Sequence, residues 1–497
     1  MKFSIFVGAG ALALAAPLQA GPVLIAKGSI SGSSAGANAD LSGLTGTLEN
    51  GLPANILGGF GSGLAYAGGN TFLALPDRGP NATPYNSLVD DTVSYIARYQ
   101  SVTLQLTPQA GGGLPFALTP TLTGTTLLYS PTPLIYGTGT GLGNRADGSL
   151  LGSGAPSSNT PFSFYFSGRS DNFGAGGSGN PANARFDPES IRVSNDGRSV
   201  FISDEYGPYV RQFDRTSGQL LRTYTLPANL DVATVSAHGK DEEANLIGRV
   251  DNKGMEGLAI TPDGKTLVGI MQAPLLQDVT NAPKLLRIVT IDIATGTTQE
   301  FGYSLTTGTG VSEIVAVNNH QFLVDERDGK GLGDGSNAAV KSIFLIDTAG
   351  ATDISGVVNA TATGPNATAV VTKSATPFLD IVAALKANGL TAAQIPAKIE
   401  GLAFGQDVTL NGQLLHTLFV ANDNDFVPGT AGANQFFVFG FQDSDLQGFT
   451  AQAIAAPVPE PATWLTMLLG FGLLGAALRR LGGGARRGTV GAARRGS

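Results

Sequence analysis

The chain has no cysteine, which excludes disulfides, zinc–thiolate sites and a thiol nucleophile. Three histidines in 497 residues leave little room for a histidine-rich metal site. His238, His320 and His416 all fall in loop or turn contexts, so no Ser-His-Asp arrangement is evident. Charged residues make up only 14% of the chain. What is abundant is glycine (69) and proline (27), spread widely and without a collagen-like period. That composition favours many short strands joined by turns over long helices.

Both ends read as addresses. Residues 1–20 carry Lys2, an apolar run over 5–16 and Leu18-Gln19-Ala20, the pattern of a cleaved secretory signal. Near the other end, Val458-Pro459-Glu460-Pro461 precedes an uncharged stretch over 462–478 and then Arg479-Arg480. Seventeen residues are the lower limit for a spanning helix, and the arginines fit a cytoplasmic side. The alternative is a buried C-terminal core helix. The order Pro-Glu-Pro, apolar segment, arginine cluster resembles the PEP-CTERM sorting signal of Gram-negative bacteria. That resemblance implies an exosortase-type partner, transient membrane anchoring and delivery to the cell surface or extracellular matrix. It divides the chain into a signal (1–20), a lead-in (21–50), a main domain (51–450), a linker (451–461), a sorting helix with its arginines (462–480) and a basic tail (481–497). The family usually ends just after the arginines, whereas this chain continues through Gly, Ala and Arg. Without both addresses, 23 positive residues face 38 acids, a net charge near −15. So acidic a surface repels nucleic acid and suits divalent cations.

Inside the main domain one hairpin pattern recurs. Its clearest copy is RFDPESIRVSNDGRSVFISDEYGPY, residues 185–209: a carboxylate, a strand, an Asp-Gly turn, a return strand and an acidic exit. Further copies cover residues 58–79, 254–271, 311–327 and 398–425. Outer strands are expected over 95–106, 210–225, 285–303, 341–347 and 435–442, with a short helix over 376–388. The span 21–50 reads as a mobile lead-in or a peripheral strand, and 107–183 as loop or insertion. The repeated glutamates Glu189, Glu256, Glu313 and Glu400 lie 67, 57 and 87 residues apart. Such periods, with about four strands each, predict an all-β fold, a β-propeller of six or seven blades. Two β-sandwiches would not return the same acid to the same hairpin position.

Two weaker motifs carry little. Gly32-Ser33-Ser34-Ala35-Gly36 matches G-x-S-x-G but lacks the flanking strand and helix. The glycines at 137, 139, 141 and 143 lack the same context for a phosphate cradle.

In a propeller the first strand of each blade lines the channel, so residues at its mouth converge. The glutamates would meet there, joined by the second-strand exits Asp77, Asp204-Glu205, Asp325-Glu326 and Asp423. Crowded carboxylates repel and resist desolvation unless a cation or protons neutralise them. Ca²⁺ takes six to eight oxygen ligands in irregular geometry and is the expected cofactor. The candidate metal ligands are Glu189, Asp204, Glu256, Glu313, Asp325, Glu326, Glu400 and Asp423. Arg78, Arg327 and Lys253 lie beside these acids, to pair with them or to bind an oxyanion.

PESIRVSNDGRSVFISDEYGPYV, NKGMEGLAITPDGKTL, VDERD and KIEGLAF resemble the motifs of the phytase-like family, "esterase-like activity of phytase". The resemblance implies a propeller and hydrolysis of esters or phosphoesters. It carries over to Glu189, Asp204, Glu205, Tyr206, Glu256, Glu326, Arg327 and Glu400. Arg78, Glu205, Tyr206 and Arg327 are the candidate catalytic residues. The competing expectation is a non-enzymatic propeller that binds extracellular polysaccharide or protein, its calcium purely structural.

Overall fold

Five four-stranded antiparallel units follow one another along the chain in a computed structural model, which describes residues 21–455 except 33–38, 112, 172–175, 237–239 and 241–242. Blade 1 is Gly63–Tyr66, Thr71–Leu75, Arg98–Pro108 and Phe116–Leu127. Blade 2 is Pro188–Val193, Ser199–Asp204, Tyr209–Asp214 and Leu220–Thr225. Blade 3 is Met255–Ile260, Thr266–Met271, Leu285–Asp292 and Thr298–Ser304. Blade 4 is Gly310–Ala316, Gln321–Arg327 and Lys341–Asp347, edged by the short pieces Thr372–Lys373 and Leu379–Asp380. Blade 5 is Lys398–Phe404, Gln413–Asp423 and Asn434–Phe441, and its outermost strand is Val23–Ile30 from the lead-in. The ring is therefore closed by pairing the first described strand with the last.

The propeller has five blades, not six or seven. The expected count divided the domain length by the blade period. Residues 128–187, 226–254 and 348–397 instead form mostly loops and short pieces. One strand was hidden in the stretch read as loop: Phe116–Leu127 pairs along the whole length of Arg98–Pro108. Its Pro120 and Gly124 masked it, and proline is tolerated there because the strand lies at the blade's outer edge. The helix forms over Ile381–Ala387, where the Asp380 side chain accepts from the Ala383 N–H.

The first strand of each blade faces the axis, and neighbouring first strands touch directly. A Cβ on Gly257 would meet the Ile314 nitrogen at 2.8 Å, and one on Gly63 would meet the Glu189 carbonyl at 2.9 Å. Glycine at this position thus lets adjacent backbones approach. Blades 2 and 3 join where Glu313 of blade 4 accepts from Ser190 Oγ (2.8 Å) and from the Leu258 N–H (3.1 Å). Blades 4 and 5 join where Ser312 Oγ donates to the Ile399 carbonyl at 3.1 Å. Aliphatic and aromatic clusters fill the spaces between blades.

Residues 442–455 form a strap across the end where the inner strands finish. Thr450 N–H donates to the Val317 carbonyl, and Gln452 Nε2 to the Val193 carbonyl, both at 2.8 Å. Ala455 N–H donates to the Asn195 carbonyl at 2.8 Å. The strap covers a small cavity of about 70 Å³ lined by the ends of the inner strands. Among the described residues no helix is long and apolar enough to cross a membrane. The secretory signal, Ser33–Gly36, His238, the Pro-Glu-Pro motif, the sorting helix and the basic tail lie outside the described residues.

Candidate functional site: an acidic cavity at the channel mouth

A cavity of about 240 Å³ opens at the end where the inner strands begin. Its wall follows from two features of strand geometry. Four of the five inner strands carry a register shift near their start, for instance between Met255 and Gly257 and between Ile399 and Gly401. The extra residue of such a bulge is re-aimed out of the ladder. The residues so placed are Glu189, Glu256, Ser312 and Glu400; in blade 1 the corresponding residue is Ser62, between Gly61 and Gly63, which both pair with Leu75, and all but Ser312 line the cavity. The second strands supply the next set. At or just beyond the ends of these strands stand Asp77, Glu205, Gln272, Arg327 and Asp423, and all five line the cavity.

This arrangement sorts the expected site residues. Glu189, Glu256, Glu400, Asp423, Arg78, Glu205 and Arg327 come together. Glu313 does not line the cavity. The bulge position in blade 4 is Ser312, and Glu313 is the following residue, where blades 3 and 5 have Gly257 and Gly401. Its carboxylate pairs instead with Arg192 at 2.9 Å. Asp204 and Glu326 precede the cavity-facing Glu205 and Arg327, and alternation along a strand turns them away. Asp204 accepts the backbone N–H groups of Asp187 (2.8 Å) and Gly207 (2.7 Å). Glu326 is held by Tyr303, Thr306, Thr307 and Lys373. Asp325 lies one step inside, accepting from Ser312 Oγ at 3.2 Å. Tyr206 is buried, and its hydroxyl donates to the Gly168 carbonyl at 2.9 Å rather than into the cavity.

Several residues in or beside this wall had no distinctive sequence signal. Lys398 binds Asp423 (2.9 Å) and Asp425 (2.5 Å). Asp425 sits in a turn with φ +50° just beyond the strand. Asp187, fully buried one residue before the blade 2 inner strand, takes the Arg78 guanidinium at 2.6 Å and the Arg78 backbone N–H at 3.0 Å. Arg78 also donates to Asn252. The pattern Asp-x-Glu in FDPES was the one available hint of Asp187.

The wall holds six carboxylates against four cations. Arg327 bridges Glu400 and Glu256, the latter at 3.5 Å. Gln272 Nε2 donates to Glu256 at 2.7 Å. Burial, and then Glu400, push Glu256 up to about 7. Glu400 likewise rises to about 7 through burial, with Arg327 and Lys398 opposing. Burial followed by Glu256 raises Glu205 well above the carboxylate range. The two groups interact directly, so they titrate as a pair. Glu189 is also raised well above that range, by burial and then by Glu256, Asp187 and Glu205. Asp423 differs: burial raises it, but Lys398 outweighs that and leaves it lowered. Two carboxylate trios have ligand oxygens within 4.8 Å of one another: Asp187, Glu189 and Glu205, and Asp77, Asp423 and Asp425.

A secreted protein of Arthroderma benhamiae is 32% identical over 260 residues, covering 45% of this chain and 46% of that protein. The chain thus matches about half the length of this relative. Among solved structures, Kuenenia stuttgartiensis hydrazine synthase aligns at 12% identity and TM-score 0.30, covering 74% of this chain and 78% of that one. The Swd1 β-propeller domain of Myceliophteria thermophila aligns at 13% and TM-score 0.20, covering 47% and 51%. Scores this low carry no argument. The PEP-CTERM protein-sorting motif matches residues 457–480, which implies export and recognition by an exosortase-type sorting system. The family model for "Esterase-like activity of phytase" matches residues 55–426, nearly the whole propeller, and the chain belongs to this phytase-like family.

Proposed function

We propose that the cavity is a divalent-cation-dependent site hydrolysing ester or phosphoester bonds of small extracellular substrates, with calcium as the ion. The observation that carries this reading is the trio Asp187, Glu189 and Glu205. All three are buried, and Glu189, 7% exposed, has no hydrogen-bond donor among the described residues. A carboxylate so placed needs a proton or a cation. The donors are all hard oxygens, which suits Ca²⁺ and not zinc or copper. Asp187, Glu189 and Glu205 would hold the ion, which when bound supplies Lewis-acid polarisation of a carbonyl or phosphoryl oxygen.

The remaining work falls to the chain. Glu256, held by Gln272 and Arg327, takes a proton from the attacking water as the new bond to carbon or phosphorus forms. The bond to the leaving oxygen breaks, and the same proton is returned to it. Arg78 and Arg327 each have an unpartnered, buried Nε and would offset the negative charge that develops on the substrate. The setting in this reading is the surface of a Gram-negative cell, with residues 462–480 anchoring the chain until it is processed.

Turnover of p-nitrophenyl acetate and p-nitrophenyl phosphate, measured with calcium and with EDTA, tests the proposal. Glu256→Gln is expected to keep the fold and lower turnover about 100-fold or more. An absence of turnover of both substrates in calcium overturns the reading. If calcium still raised the melting temperature, the cavity would be a structural ion site on a binding propeller.

A further inference from the structure

The two carboxylate trios stand at one cavity mouth and are built on neighbouring blades. Glu189 and Glu205 are the bulge and exit residues of blade 2. The matching residues of blade 1 are Ser62 and Asp77, with Asp423 contributed by blade 5 next door. Their surroundings differ. Every carboxylate of the second trio has a donor: Gly79 N–H on Asp77 (2.9 Å), and the Lys398 ammonium on both Asp423 and Asp425. In the first trio Arg78 reaches only Asp187, Glu205 accepts the Gly254 N–H at 2.9 Å, and Glu189 has no donor among the described residues.

One more polar group lines the cavity without a partner. Ser62 Oγ is buried, 2% exposed, and makes no hydrogen bond. Gly61, the preceding residue, packs against the backbone of Asn422 and Asp423. A buried hydroxyl thus lines the same cavity as Asp77, Asp423 and Lys398 and takes no part in the ion pair that Lys398 makes.

We propose that Lys398 is the built-in cation of a second divalent-cation site, formed by Asp77, Asp423, Asp425 and Ser62, and that it limits the cavity to one divalent ion. A lysine ammonium carries one charge on a flexible stem and can stand where a hard cation would sit. Without it, three carboxylates and a hydroxyl form an all-oxygen set of the kind calcium takes. The limit of one ion rests on the reading of the first trio given above. The role of Lys398 does not.

Calcium stoichiometry of the full chain, measured by isothermal titration with CaCl₂ and checked by equilibrium dialysis, tests this. The wild type is expected to bind one ion, Lys398→Met two and Lys398→Arg one. Equal stoichiometry in wild type and Lys398→Met overturns the proposal, as does a wild type that binds two. A wild type that binds none while Lys398→Met binds one upholds the role of Lys398 and removes the ion from the hydrolytic reading. If Lys398→Met fails to fold without calcium, recovery of its melting transition on adding CaCl₂ supports the proposal. Failure to fold with calcium present overturns it.

Discussion

Glu313 is out of step by one residue with the glutamates it resembles, and that offset changes its role. It lies in the channel beyond the cavity, pairs with Arg192, and accepts from Ser190 and Leu258. Arg192 in turn donates to the carbonyls of Leu64 (2.8 Å) and Ile314 (2.9 Å). The pair thus ties blades 1 to 4 together across the axis. Removing one member of a buried ion pair leaves the other charge uncompensated. Glu313→Ala is expected to lower unfolding stability by about 3–5 kcal/mol in urea titration, with the cavity residues unchanged. The sequence could not separate Glu313 from its neighbours by letter. The context Glu-Gly in MEGLAI and IEGLAF marks the bulge and the close approach behind it, whereas Ser-Glu in VSEIVA occupies the same two positions with the roles exchanged. Reading the glycine as the register mark, rather than the acid, would have placed Ser312 and not Glu313 at the bulge.

Among the elements, strand alternation decided which residue of each second-strand exit faces the cavity. In Asp204-Glu205 and Glu326-Arg327 the second residue faces the cavity and the first caps a loop. Hairpins and turns were legible because Asp-Gly and Asn-Gly steps punctuate them. Asp187 and Asp425 were not, since they lie outside the strands, and Lys398 opens its strand with no letter that sets it apart. The strap is a second element without a sequence signature of its own. Phe449 packs on Phe404, His416 and Phe441, with ring centroids 4.6, 4.8 and 5.4 Å apart. His416 lies between Asp407 (2.9 Å) and Asp443 (2.8 Å). Burial depresses its pKa, but the hydrogen bonds to Asp407 and Asp443 outweigh this and leave it raised above 6.5. A raised folded-state pKa stabilises fully below about 6.5 and ceases to do so as pH rises through the folded value. Both aspartates are exposed, so the effect is small, about 1 kcal/mol or less. The melting temperature of His416→Gln is therefore expected to trail the wild type most near pH 5.5 and to converge with it by pH ~8.5.

For the molecule as a whole, closure depends on Val23–Ile30. This strand pairs with Asn434–Phe441 over its full length and buries Leu24, Ile25 and Ala26. Without it, a strand rich in phenylalanine becomes an exposed edge, the kind of edge that recruits another chain. A chain starting at residue 31 is expected to melt lower and to self-associate, read by light scattering behind size-exclusion chromatography. The repeat revealed the architecture and its axis, but the blade count failed because chain length was a poor measure of blades in a protein that spends long stretches on loops.

The strap also fixes where the backbone departs. Ala455, the last described residue, is pinned to the blade 2 hairpin at the sealed base of the barrel-like channel. The full depth of the ring thus lies between Ala455 and the acidic doorway. Removing residues 456–497 should therefore leave the doorway's chemistry untouched.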